Sequence, residues 1–122
     1  MTATVLTVDD SRTMRDMLMM ALSQAGFNVV QAVDGVDGIE TLQGSAVPDV
    51  IVTDINMPRL DGFGFIERLR QDPKWRATPI LVLTTESDPG KKARAREVGA
   101  TGWIVKPFNA DKLVDAIRRV AA

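Results

Sequence analysis

The chain is 122 residues long, 45% apolar and 25% charged, the size and balance of one globular domain able to bury its own core. Fifteen basic residues against sixteen acidic ones leave a net charge of −1, which removes non-specific attraction to nucleic acid. Cysteine and histidine are both absent, so disulfides, thiolate nucleophiles, imidazole metal ligands, Ser-His-Asp catalysis and a phosphohistidine on this chain are excluded. Chemistry is left to carboxylates, hydroxyls, lysine, arginine and backbone. No apolar run approaches a membrane span, and the N-terminus lacks the pattern of a secretory signal, so a cytoplasmic protein with no membrane or nucleic-acid partner is expected.

The first apolar run, Thr4 to Val8, predicts a strand that stops at an adjacent acidic pair, Asp9 and Asp10. Arg12 to Gln24 has helical periodicity, with Met14, Met17, Leu18, Ala21, Leu22 and Ala25 on one face and Gly26 as its stop. "NVVQAV" predicts a weaker strand. A short helix from Val36 to Gln43 is broken by Gly44, Ser45 and Pro48. "DVIVTD" is the third strand, "MPRLDG" a loop, and Phe63 to Arg70 a helix. "PILVLT" is the fourth strand, followed by a helix from Asp88 to Val98 that Gly99 ends. "GWIVK" is the fifth, before a last helix from Asn109 to Val120 with Leu113, Ala116, Ile117 and Val120 inward. Asp34-Gly35 and Asp61-Gly62 read as turns, and Trp75 as a lid on the apolar core. The helix carrying Lys91, Lys92, Arg94 and Arg96 reads as a solvated face, with a docking surface as the alternative.

The pattern contains five βα units. "VIVT" and "ILVL" are apolar at consecutive positions, which means burial on both faces and hence a parallel sheet between helical layers. The expected architecture is a doubly wound five-stranded α/β sheet, flavodoxin-like, in the order 2-1-3-4-5. Such sheets bind ligands beyond the carboxyl ends of their strands, near the switch between strands 1 and 3. Asp9 and Asp10 end strand 1, Asp54 ends strand 3, Thr84 and Thr85 end strand 4, and Lys106 ends strand 5. Strand 2, at the predicted edge, ends in Val33-Asp34.

Carboxylates crowded in one cleft repel: two unit charges ~4 Å apart cost roughly 4 kcal/mol at an effective dielectric of ~20. Lys106 offsets part of that, and a hard divalent cation relieves the rest. Few, acidic, all-oxygen ligands at an open rim suit Mg²⁺. One aspartate of the Asp9-Asp10 pair is free to cap the following helix, while the pair together forms the metal site. A cation beside a carboxylate, a hydroxyl and a lysine suits phosphoryl transfer, with Asp54, on the central strand and facing the pair, as the nucleophile.

"VDD", "DINMPRLDG", "TTE" and "KPF", in this order at successive strand ends, resemble the receiver domain of two-component response regulators, and the resemblance covers essentially the whole chain. It implies that Asp54 is the phosphoacceptor, taking phosphate from a phosphohistidine on a CheA-like histidine kinase. It further implies that Asp10, Asp54 and the backbone carbonyl of Asn56 ligate Mg²⁺, with Asp9 acting mainly through water. Lys106 and Thr84 would contact the phosphoryl oxygens, as would the backbone N–H of Thr85, and the Lys106–Pro107 bond would be cis. Asn56 and Glu86 would flank the attacking water and tune self-dephosphorylation. Trp103 stands at the switch position, where the family usually has Tyr or Phe. That is a departure, because an indole is bulkier than a phenol and donates only through its ring N–H. Residues 1–122 are expected to form a single receiver with no output domain, resembling the stand-alone chemotaxis regulators of the CheY type. The implied protein is a monomeric signalling switch rather than an enzyme acting on a metabolite, binding the flagellar motor switch when phosphorylated. The alternatives are a phosphate sink and a regulator of a non-motor partner.

Other readings fail on particular residues. A calcium loop starting at Asp54 would have Pro58 where a ligand is needed, Arg59 in place of the turn glycine, and Phe65 in place of glutamate. A flavin site would need a hydroxyl- and glycine-rich loop after strand 1, which here opens with two anions. A phosphatase of the haloacid dehalogenase type would space its aspartates two apart; Asp9 and Asp10 are adjacent.

Overall fold

A computed structural model of the protein describes residues 2–121. The elements alternate in chain order: β1 Thr4–Val8, α1 Arg12–Gln24, β2 Asn28–Ala32, α2 Gly35–Gln43, β3 Val50–Thr53, α3 Gly62–Gln71, β4 Ile80–Thr84, α4 Pro89–Val98, β5 Gly102–Val105 and α5 Ala110–Ala121. All five strands are parallel, in the order β2-β1-β3-β4-β5. The expected architecture is therefore the observed one.

Consecutive apolar residues produce two cores, because successive side chains of a strand face opposite ways. Leu6, Val8, Ile51, Ile80 and Val82 pack toward α2, α3 and α4, around Ile39, Phe65, Ile66 and Leu69. Val5, Val50, Val52, Leu81 and Leu83 pack toward α1 and α5, around Leu18, Leu22, Leu113 and Ile117. Every residue of β3 and β4 is buried, as "VIVT" and "ILVL" require. Trp75 is 5% exposed and lies in the first core, and its ring nitrogen has no hydrogen-bond partner among the described residues.

Several expectations are corrected. Asp34-Gly35 and Asp61-Gly62 are helix starts rather than isolated turns: each aspartate is an N-cap, accepting from the N–H of Asp37 and of Gly64, and each glycine is the first helical residue. Helix α1 is capped by neither Asp9 nor Asp10 but by Ser11, whose Oγ accepts from Met14 N at 3.2 Å. Met17 was expected on the buried face of α1 and is 48% exposed, because Leu18 and Leu22 fill the space against the sheet. It lies with Met20 and Phe108 on a groove of about 810 Å³ between α1 and α5. Gly99 ends α4 as expected, in the left-handed conformation (φ 112°) that a residue without Cβ adopts at little cost.

Gly62 holds the start of α3 against the end of β3. Its N–H donates to Ile55 O at 2.8 Å, and a Cβ there would collide with the carbonyl oxygen of Asp54. Gly62→Ala is expected to cost about 1–3 kcal/mol, the usual range for overpacking. Urea unfolding checks this; a variant as stable as the parent would mean that the loop after β3 yields freely.

Candidate functional site

Three site residues are each the first residue past a strand, and the sheet's own hydrogen bonds place them. Asp9 donates its N–H to Ala32 O at 3.1 Å, Asp54 to Val8 O at 2.9 Å and Lys106 to Thr84 O at 2.8 Å. These extend the parallel pairing by one rung beyond β1, β3 and β5. Asp9 and Asp54 thus stand at the carboxyl ends of neighbouring strands, at the switch point between β1 and β3 where such sheets bind ligands.

Asp9 is 2% exposed, Asp54 is partly buried and Asp10 is exposed. Each of the three offers a carboxylate oxygen, all within 4.8 Å of one another. Lys106 Nζ donates to Asp9 Oδ2 at 2.7 Å and to Asp54 Oδ2 at 2.9 Å. The other oxygens are also used: Asp9 Oδ1 accepts from Ser11 N at 2.9 Å and Asp54 Oδ1 from Ile55 N at 2.6 Å. Burial pulls the Lys106 pKa down, but the hydrogen bonds to Asp9 and then Asp54 outweigh it, so the ammonium is held above the ordinary lysine value. One ammonium for three carboxylates leaves the rim acidic. An all-oxygen donor set with one exposed member fits a hard cation such as Mg²⁺, which keeps several waters and accepts further oxygens from a substrate.

The other predicted residues stand around this cluster without bonding to it among the described residues. Thr84 is fully buried, and its Oγ1 accepts from Glu86 N at 3.3 Å. Thr85 and Asn56 are exposed. Glu86 is held at 2.5 Å by Lys91 Nζ, and this hydrogen bond is the main cause of a raised Lys91 pKa. Trp103 is partly buried against the first core and lines a cavity of about 60 Å³ with Ala95, Ala100 and Gly102. The Lys106–Pro107 peptide is cis. Of the basic residues on α4, Lys91 is paired with Glu86 and Arg94 lies 4.2 Å from the Phe63 ring centroid, so the helix is less freely solvated than its composition suggests.

A second charged pair, with no local signal in the sequence, joins the start of α2 to the loop before α3. Asp34, 4% exposed, receives Arg59 Nε at 2.7 Å and Nη2 at 3.0 Å. The hydrogen bond from Arg59 outweighs burial and holds the Asp34 carboxyl below its ordinary pKa, and Arg59 is raised in turn, chiefly by the same bond.

A protein-family comparison matches residues 5–118 to the response regulator receiver domain. The chain belongs to this family. The receiver's fold superimposes on the Vibrio cholerae chemotaxis protein CheY4 with a TM-score of 0.92, at 44% identity over 98% of this chain and 99% of that one. It is 35% identical over 117 residues to the Helicobacter pylori chemotaxis protein CheY1, covering 95% of this chain and 94% of the relative. It is also 33% identical over 116 residues to the H. pylori sensor histidine kinase CheAY, of which it spans only 14%. The receiver is thus a two-component signalling module. Among its described residues no helix is long and apolar enough to cross a membrane.

Proposed function

We propose that this receiver is phosphorylated on Asp54 by a partner histidine kinase and signals by phosphorylation-dependent protein binding, with the flagellar motor switch as its target. The observation that carries the reading is the bridge from Lys106 to Asp9 and Asp54, with Asp10 completing the acidic cluster at the open side. In the step itself, an oxygen of the Asp54 carboxylate forms a bond to phosphorus as the bond from phosphorus to the kinase imidazole nitrogen breaks, and the imidazole leaves. Asp10, Asp54 and the carbonyl of Asn56 would hold Mg²⁺, with Asp9 acting through water. The ion would supply charge neutralisation for the phosphoryl oxygens. Lys106 supplies a second positive charge to the same oxygens. The hydroxyl of Thr84 and the N–H of Thr85 are donors for the acyl phosphate, while Asn56 and Glu86 flank the path of the water that removes it. A shift of Thr84 toward the phosphoryl group would bias the packing of Trp103 and so change the face formed by α4, β5 and α5.

The chemotaxis assignment rests on relatives named as chemotaxis proteins that match over most of both lengths, 95% and 94% for CheY1 and 98% and 99% for CheY4. It extends to residues 1–122 folding as one receiver domain that acts as a monomer. Pull-down with beryllofluoride-treated protein tests it, since that anion mimics an aspartyl phosphate. Capture of a flagellar motor switch protein is expected, and only from the treated sample. Capture of the kinase alone would favour a phosphate sink, and capture of another protein would favour a non-motor output.

A further inference from the structure

Asn56 is exposed, in the loop between β3 and α3, and its side chain makes no hydrogen bond among the described residues. What fixes the loop lies farther along it. At one anchor Gly62 N donates to Ile55 O at 2.8 Å. At the tip, Leu60 N donates to Pro58 O at 2.7 Å, a turn closed over a single residue, Arg59, whose φ is 65°. This is the rarer and strained sense of a three-residue turn, which glycine or asparagine enters at lower cost than arginine. Such a conformation persists only where its surroundings over-determine it.

Here the surroundings are the start of α2. Both guanidinium contacts of Arg59 end on the buried Asp34, at 2.7 and 3.0 Å, and Gly35 N donates to Leu60 O at 3.2 Å. Asp34 is itself immobilised, because Oδ1 also accepts from Asp37 N at 2.8 Å, while Asp37 Oδ2 accepts from Val33 N at 2.9 Å. A planar fork on a fixed carboxylate sets direction as well as distance. Leu60 and Met57 add contacts to the first core.

We propose that the Asp34–Arg59 pair is a positioning clamp that sets the carbonyl of Asn56 for the divalent cation. Neither residue touches the acidic cluster; the pair acts through the backbone of the loop it pins. The inference rests on the reading of that cluster as a Mg²⁺ site. Its consequence is that Mg²⁺ affinity depends on a charge pair on the outside of the loop.

Two variants separate this role from general stability. Arg59→Gly removes the guanidinium at a position where glycine accepts the backbone angle freely. Asp34→Asn keeps a capping oxygen for α2 while discarding the charge. Titration calorimetry with MgCl₂ on the unphosphorylated protein gives the dissociation constant, and thermal melting in EDTA gives the metal-free stability. Each variant is expected to bind Mg²⁺ about tenfold more weakly, the lower edge of what partners behind metal ligands contribute. The double variant is expected to bind no more weakly than the weaker single, because both remove one clamp. Arg59→Lys, which keeps the charge without the fork, should fall between. Dissociation constants within about twofold of the parent in both single variants would overturn the clamp, whatever the melting temperatures, since tenfold is the least that outer partners usually supply. A parent protein that takes up no Mg²⁺ would overturn the metal site itself, and the clamp with it.

Discussion

Asp54→Asn protein is expected to take up no phosphoryl group from acetyl phosphate, where the parent gains one. The substitution is nearly isosteric and keeps an oxygen able to accept from Ile55 N, so the end of β3 should survive it. What disappears is the anionic oxygen, and a neutral amide is a far weaker nucleophile toward phosphorus. Asp9 is no substitute, because it is more deeply buried: its side chain is 3% exposed against 12% for Asp54. Asp10 is exposed but lies on a different strand end from the nucleophile, with no ladder bond fixing its backbone among the described residues. Intact-mass spectrometry reads the result directly. A labelled variant would move the acceptor to another residue.

Lys106→Met should have the largest effect on stability. The lysine side chain is 9% exposed, between Asp9 at 3% and Asp54 at 12%. Removing the cation leaves two poorly hydrated carboxylates facing each other, and loss of one partner from a buried pair costs about 3 kcal/mol or more. Urea unfolding in EDTA should show that loss. Millimolar Mg²⁺ should then restore part of it, because an ion that binds only the folded state stabilises by mass action. It should also bind the variant more tightly than the parent, because no ammonium competes for the same oxygens. The pH dependence follows from the raised pKa of Lys106. A group whose folded pKa lies above its unfolded value contributes in full below the unfolded lysine value, about 10.4, and loses that contribution as pH rises through the folded value. The gap between parent and variant should therefore be constant from pH 6 to about 9 and narrow only above about pH 10. Equal stability in EDTA would mean that the carboxylates are solvated well enough to need no counter-charge.

How much of this could be read from the sequence depended on how local the cause was. Unbroken apolar runs in β3 and β4 can only be buried on both faces, and parallel order follows from that. The positions of Asp9, Asp54 and Lys106 were equally legible, since each follows directly from where an apolar run stops. The Ser11 cap was missed because the neighbouring aspartates are equally good caps on residue type, and only backbone geometry separates them. Met17 was misplaced because periodicity marks a face wider than the strip a sheet can cover. Asp34 and Arg59 are 25 residues apart in the chain, and nothing local joins them. Arg70 gives no signal either, because its guanidinium donates to backbone carbonyls, of Trp75, Arg76, Thr78 and Gly99, which residue type does not mark.

Phosphorylation of the parent protein by acetyl phosphate, with Mg²⁺ and with EDTA, followed by peptide mapping, bears most directly on the acidic cluster as a cation-dependent acceptor site. One phosphoryl group on the peptide containing Asp54, formed in Mg²⁺ and absent in EDTA, is the predicted result. Equal labelling in EDTA, or a label on a different residue, would contradict it.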